Sequence, residues 1–216
     1  MAQSLLEFRE LRFAYDELKF HFGNATIAPG EIVVIVGPSG AGKSTLMRLL
    51  RGELDPGAGK VIIAGKEVET RKKRLVLDET TAGWVPQLDD LQSMLSLEDN
   101  IGHHILRMDP EDKEARVEEL KAAMHLQTYS GQKVRTLSGG QRQRVSIAKA
   151  MAGSPPVLLM DESLAQLDLR TKSLILMDFK AMIKRECCAA LLVLHDPADA
   201  LFGADPRWGI RGRKRV

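Results

Sequence analysis

An α/β fold built on a mostly parallel sheet is what this sequence predicts, and three features predict it. Unbroken apolar runs recur at Ile32-Val33-Val34-Ile35-Val36, Val157-Leu158-Leu159-Met160 and Leu191-Leu192-Val193-Leu194, the pattern of strands buried on both faces. Stretches with helical spacing of apolar residues separate them. A glycine-rich turn follows the first run directly, where a strand-to-helix connection belongs. At 216 residues and 44% hydrophobic content, the chain can bury one sizeable core, so residues 1–216 are expected to form a single domain.

The elements follow in order. Leu6, Phe8, Leu11 and Phe13, then Leu18, Phe20 and Phe22, alternate with polar residues, which predicts an antiparallel hairpin of half-buried strands. After the Ile32–Val36 run a helix is expected over Thr45 to Arg51. A second helix starts at Asp109-Pro110, a cap followed by proline at the first helical position, with Val117, Leu120 and Met124 on one face. A third follows Asp168 and carries Ile175, Phe179, Met182 and Ile183. The segment from about 88 to 136 holds no run of the buried-strand kind and reads as a helical lobe inserted into the sheet domain.

Composition narrows the function. A charged fraction of 28% and a net charge of +2 describe an ordinary surface, so no nucleic-acid partner is expected from bulk charge. The local basic excess is Arg211, Arg213, Lys214 and Arg215; cations of this kind contribute roughly 1 kcal/mol each near an anionic lipid surface. No apolar run reaches the roughly 18–20 residues of a membrane-spanning helix, and Met1 to Glu10 lacks the features of a secretory signal. The chain is therefore expected in the cytoplasm. Cys187 and Cys188 are the only cysteines, and as neighbours they are expected to remain reduced and structural.

Gly37-Pro38-Ser39-Gly40-Ala41-Gly42-Lys43-Ser44 fits G-x-x-x-x-G-K-[ST] between a buried strand and a helix. Glycines let the backbone N–H groups turn inward at phosphate oxygens, and the helix start, including Thr45, adds its dipole. Lys43 would reach the β- and γ-phosphates of ATP, and the Ser44 hydroxyl would hold Mg²⁺. Asp161-Glu162 end the Val157 run, at the carboxyl edge of a parallel sheet where such folds bind ligands. Asp161 suits Mg²⁺; Glu162, one residue on, suits acceptance of a proton from attacking water.

Leu137-Ser138-Gly139-Gly140-Gln141 contains a capping box, Ser138 with Gln141 three residues on, before an amphipathic run through Ile147, Ala148 and Met151. With Arg142-Gln143-Arg144 behind it, this stretch resembles the signature motif of ABC-type ATPases. The resemblance extends over nearly the whole chain. It implies a P-loop core with a mostly parallel sheet, an N-terminal antiparallel β subdomain and an inserted helical lobe. It also implies head-to-tail pairing with a second such ATPase subunit, as a homodimer, in which the signature helix of one chain points at the γ-phosphate held by the other.

Further positions match on the resemblance alone. Tyr15 falls where the family stacks an aromatic on adenine, with Phe13 as a neighbour. Gln87, in Trp84-Val85-Pro86-Gln87, is similar to the glutamine that touches Mg²⁺ and the attacking water. Ala165-Gln166-Leu167-Asp168 resembles the loop that crosses to the partner subunit, and His195 resembles the switch histidine at the γ-phosphate. Three departures stand out: Ser163 where proline is usual, acidic Asp89 and Asp90 in the loop Leu88 to Ser96, and a short stretch after His195 whose strands are expected to be shortened or missing. The function implied is that of an ATP-hydrolysing motor on the inner face of the membrane, held there by transmembrane permease subunits docked near Gln87 to Ser96, where Asp89 and Asp90 are expected to serve the coupling contact. The alternative is a regulatory or non-transport ATPase of the same type; a kinase or GTPase would not explain Leu137 to Gln141.

Overall fold

The computed structural model describes residues 4–16, 18–69 and 81–194, together with the backbone of 205–209 and 214–215. The alternating N-terminal segment forms β1 (Leu6–Tyr15) and β2 (Leu18–Ile27), an antiparallel pair in which Tyr15 lies opposite Leu18. The apolar run that follows is β3 (Ile32–Val36), and the glycine-rich turn leads into α1 (Lys43–Leu50). Three strands come next: β4 (Ala58–Ile63), β5 (Lys66–Glu67) and β6 (Gly83–Val85).

The lobe expected from the sequence is helical. It contains α2 (Leu97–Ile101), α3 (Pro110–Ala123) and three short 3₁₀ turns at Gly102–Ile105, Gln127–Tyr129 and Val134–Thr136. The remaining elements are α4 (Gly139–Met151), β7 (Val157–Asp161), α5 (Leu169–Arg185), β8 (Ala189–Leu194), β9 (Asp205–Gly209) and β10 (Lys214–Arg215).

Among the described residues two five-stranded sheets result. One runs β10-β2-β1-β4-β5 with antiparallel pairing; the other runs β6-β7-β8-β3-β9 with every pair parallel. The parallel sheet is covered on both faces, and the period-2 geometry of its strands divides their side chains between two cores. Val34, Leu158, Met160 and Leu192 pack with α4, α5 and the lobe. Val33, Ile35, Leu159 and Leu191 face the other way, toward α1 and the antiparallel sheet. The apolar runs of the sequence are unbroken because both faces need them.

At the end of the chain the strands are shortened rather than missing. Among the described residues beyond His195 two form, both short: β9 pairs in parallel with β3, and β10 pairs with Lys19 and Leu18 of β2. Asp205-Pro206-Arg207-Trp208-Gly209 has neither an apolar run nor alternation, so the pairing owes more to the available edges than to local preference.

Arg116 ties the lobe to the sheet domain. From α3 its guanidinium donates to both carboxylate oxygens of Glu186, at 3.1 and 2.9 Å, and to the Met151 carbonyl at 2.9 Å. Just beyond Glu186 the two cysteines diverge. Cys187 is exposed, whereas Cys188 is buried and its thiol is pushed up to about 12, first by burial and then by the Glu186 charge. The thiolate is the reactive form. A thiol-specific reagent at pH 8 should therefore titrate one cysteine in the native protein and two after denaturation; two native equivalents would contradict this packing.

Candidate functional site

The glycine-rich turn is positioned by β3, the strand that lies between β8 and β9 in the parallel sheet. Gly40 and Gly42 take φ of 75° and 101°, conformations that non-glycine residues rarely adopt. Gly42 has a second constraint, since a Cβ there would stand 2.6 Å from Cδ1 of Phe20 on β2. The turn is thus pressed against the aromatic face of the hairpin. It opens into α1, whose first N–H groups, those of Lys43, Ser44 and Thr45, have no acceptor within the helix and carry the positive end of its dipole.

Lys43 is 5% exposed and bends back over the turn, donating to the carbonyls of Gly37 at 2.8 Å and Pro38 at 3.3 Å. Its Nζ also lies 3.3 Å from Oε1 of Glu162. The other oxygen of that carboxylate accepts a hydrogen bond of 3.4 Å from Nε2 of Gln87. Three segments far apart in sequence, the turn after β3, the loop after β6 and the end of β7, therefore meet at one carboxylate. Parallel pairing brings them there, because β6 lies beside β7 with Val85 opposite Met160. Glu162 has φ 43° and its N–H donates to Val193 O at 3.0 Å. A non-glycine residue held in the left-handed region is strained, and such strain collects at functional sites.

Asp161 has a different environment. Its carboxyl is raised above the ordinary aspartate range by burial and by the neighbouring Glu162 charge, against the opposing pull of Lys43, a hydrogen bond with Ser44 and the charge of Arg51. Its Oδ1 is buried without a hydrogen-bond partner. An orphaned carboxylate oxygen beside a serine hydroxyl is an all-oxygen donor set, which fits a small hard cation such as Mg²⁺.

The second group of predicted residues lies at two helix starts. Ser138 caps α4 with the complete box: its hydroxyl accepts from the Gln141 N–H at 3.3 Å and its own N–H donates to the Gln141 side chain at 2.7 Å. Asp168 caps α5, accepting from Thr171 N–H at 3.0 Å, and hydrogen bonds first with the Thr171 side chain and then with this N–H hold its carboxyl below the usual range. The two starts pack together. A Cβ on Gly140 would come within 2.7 Å of the Thr171 methyl, and one on Gly139 within 3.6 Å of Leu167, so the glycines at 139 and 140 let α4 approach the loop before α5. Tyr15, at the end of β1, is 37% exposed and is held edge-on by Phe13 and Phe20 at ring separations of 4.6 and 6.4 Å. Phe20 is the ring that touches the turn at Gly42, so Tyr15 stands beside the phosphate loop. His195 lies outside the described residues.

Asp89 and Asp90 are both paired with α4. Asp89 Oδ2 accepts from Arg142 Nε at 3.1 Å, and Asp90 Oδ2 lies 2.9 Å from Lys149 Nζ. The pairing spans over fifty residues, which no local pattern reveals. Lys149 is 8% exposed and Arg142 39%. Asp90→Lys should therefore cost about 1–3 kcal/mol, because a buried ammonium loses its carboxylate partner and keeps only the carbonyl of residue 90, and Asp89→Lys under about 1 kcal/mol, as for exposed pairs. Denaturant titration of the two variants checks this ranking, and the reverse order would contradict it.

Comparison with known proteins follows the same lines. A family model described as ABC transporter matches residues 21–165. A sulfate/thiosulfate import ATP-binding protein of Gloeobacter violaceus is 39% identical over 83% of this chain and 52% of its own length. An sn-glycerol-3-phosphate import ATP-binding protein of Paracoccus denitrificans is 37% identical over 95% of this chain and 57% of its own, and a thiamine import ATP-binding protein of Brucella abortus is 37% identical over 93% and 82%. The chain thus spans about half the length of the first two relatives. Among solved structures, cbiO1 from Clostridium perfringens, described as part of the ABC transporter complex cbiONQ, superposes with a TM-score of 0.81 at 30% identity, over 89% of this chain and 79% of that one.

Proposed function

We propose, for a chain that belongs to the ABC transporter ATP-binding family, that it binds and hydrolyses ATP as the motor subunit of a membrane transporter. The observation that carries the proposal is the meeting of Lys43, Gln87 and Glu162 at one carboxylate beside the phosphate loop. Lys43 supplies the countercharge for the β- and γ-phosphates, and the loop N–H groups orient them. Glu162 accepts the proton of the attacking water while Gln87 fixes that water from the opposite side. Tyr15 stacks on the base and His195 serves the γ-phosphate. Ser44, Asp161 and Gln87 would hold Mg²⁺, which would supply neutralisation of the phosphate charge.

The helix start at Ser138 to Gln141 serves a second copy of the chain. Asp168 and the preceding loop line the same junction. The chain works as a head-to-tail homodimer, peripheral on the inner face of the membrane. Among the described residues no helix is long and apolar enough to cross it, so separate transmembrane permease subunits provide the attachment, with the basic tail as an added contact to anionic lipid. A cavity of about 360 Å³, bordered by Arg51, Val68, Trp84, Asp90, His104 and Lys149, together with the exposed Leu88, Met94 and Leu95, offers the permease a place to dock between the sheet and the lobe.

Complementation tests the reading. Lys43→Ala disables a site from within and Ser138→Arg disables it from across the dimer, so mixed chains carry one doubly damaged site and one intact site. Partial recovery of ATP turnover is expected in heterodimers verified by differential tagging. Absence of recovery would contradict the head-to-tail arrangement with independently competent sites.

A further inference from the structure

Four side chains outside the phosphate site form a continuous line from Tyr15 to the strand that precedes Gln87. Nη1 of Arg48, on α1, donates to the Tyr15 hydroxyl at 3.1 Å. Nε of the same guanidinium lies 3.4 Å from Oε2 of Glu53. The other oxygen of Glu53 pairs with Nη1 of Arg51, and the Arg51 guanidinium sits over the Trp84 ring with its carbon 4.2 Å from the ring centroid. Trp84 belongs to β6, three residues before Gln87.

We infer that Glu53 is a positioning residue that links occupancy of the base position at Tyr15 to the placement of Gln87, through Arg48, Arg51 and Trp84. The inference rests on Tyr15 being the base-stacking residue.

Two features make the line more than a surface ion pair. Arg48 and Arg51 are like charges three apart at the end of one helix, an arrangement that repels, and both turn to the same carboxylate. The Glu53 side chain is 14% exposed, against 51% for Arg48 and 26% for Arg51, so this shared acceptor is more enclosed than either guanidinium. When a base packs on Tyr15 and fixes the phenol, the Arg48 bond to the hydroxyl is strengthened, its hold on Glu53 slackens, and Glu53 turns toward Arg51. Each guanidinium holds its own oxygen of Glu53, and rotation of that carboxylate toward one of them is the two-state element the relay requires.

The output end is stiff. The guanidinium–indole contact is directional, and Trp84 pairs with Leu159 of β7 in register. Between Trp84 and Gln87 stands Pro86, which fixes its own φ and restricts Val85. A shift of the Trp84 ring is therefore carried along the backbone to the glutamine instead of being absorbed.

Trp84 itself reports the event. The chain has two tryptophans, Trp84 and Trp208, so Trp208→Phe isolates its emission. ADP and pyrophosphate place the same number of phosphates in the loop and differ in the base. In the Trp208→Phe chain, saturating ADP is expected to change Trp84 emission at least twice as much as saturating pyrophosphate. Glu53→Gln should reduce the ADP response to the pyrophosphate level. Arg51→Lys keeps the charge and the ion pair but loses the planar stack; it should do the same while sparing the fold, as checked by thermal melting. An ADP response that survives in Arg51→Lys and Glu53→Gln, or ADP and pyrophosphate responses of equal size in the Trp208→Phe chain, would overturn the relay while Tyr15→Ala still weakens ADP binding several-fold. If Tyr15→Ala leaves ADP affinity unchanged, the base-stacking reading has failed, and the relay fails with it.

Discussion

Glu162→Gln is expected to lower ATP turnover by about 10²–10⁴-fold, the range for loss of a general base, while nucleotide binding is kept or tightened. The amide has the shape of the carboxylate and retains an oxygen for the Gln87 bond, but it cannot take a proton from water. The affinity forecast comes from Lys43. Its ammonium lies 3.3 Å from Glu162, so a phosphate at the loop has to share that cation with the carboxylate. Removing the negative charge removes the competitor. Bound ATP that is not cleaved should accumulate as a dimer, visible by light scattering alongside a turnover assay. Normal hydrolysis by this variant would assign the proton to another group.

Lys43→Ala should abolish turnover and weaken nucleotide binding by roughly 10³-fold. Two unit charges 4 Å apart at an effective dielectric of about 20 attract by about 4 kcal/mol, and that attraction is lost. Two further losses follow from the geometry. The ammonium braces the loop through the carbonyls of Gly37 and Pro38, and without it the Glu162 carboxylate faces the phosphates unneutralised. The second loss predicts non-additivity, as expected of groups in contact. Lys43→Ala combined with Glu162→Gln should bind nucleotide more tightly than Lys43→Ala alone, by calorimetric titration. Equal affinities in the single and double variants would show that the Glu162 charge does not reach the phosphates.

Much of this site could be read from the chain because its signals are local. The loop from Gly37 to Ser44 must alternate freedom and curvature within eight residues, and the Ser138–Gln141 box closes within one helical turn. The three buried runs were legible because burial on both faces leaves no room for polar residues. What escaped was short or distant. The strand Gly83–Val85 has three residues, too few for a period. Lys214–Arg215 joins the sheet with no apolar side chain to announce it. The pairing of Asp89 and Asp90 was hidden because sequence shows their charge but not Arg142 and Lys149 opposite them on α4. The approach of Gln87 to Glu162, like the shared carboxylate of Glu53, is a product of strand order, which no window of residues contains.

The same strand order has a bearing on how the protein is made. β3, which ends at Val36 and launches the phosphate loop, is flanked by β8 and β9, and these are completed only at Leu194 and Gly209. At roughly 5–20 residues per second, a ribosome needs on the order of 10–30 s to supply both neighbours after β3 has emerged. For that interval the most apolar pentapeptide of the N-terminal third has no sheet to join. Pairings of such long sequence separation also close slowly. The antiparallel hairpin can form early from its own residues, so the nascent chain passes through a period in which the aromatic platform exists and the phosphate loop does not. A truncated chain released during synthesis would expose Ile32–Val36 as a sticky edge, a hazard that chaperones on the ribosome are suited to cover.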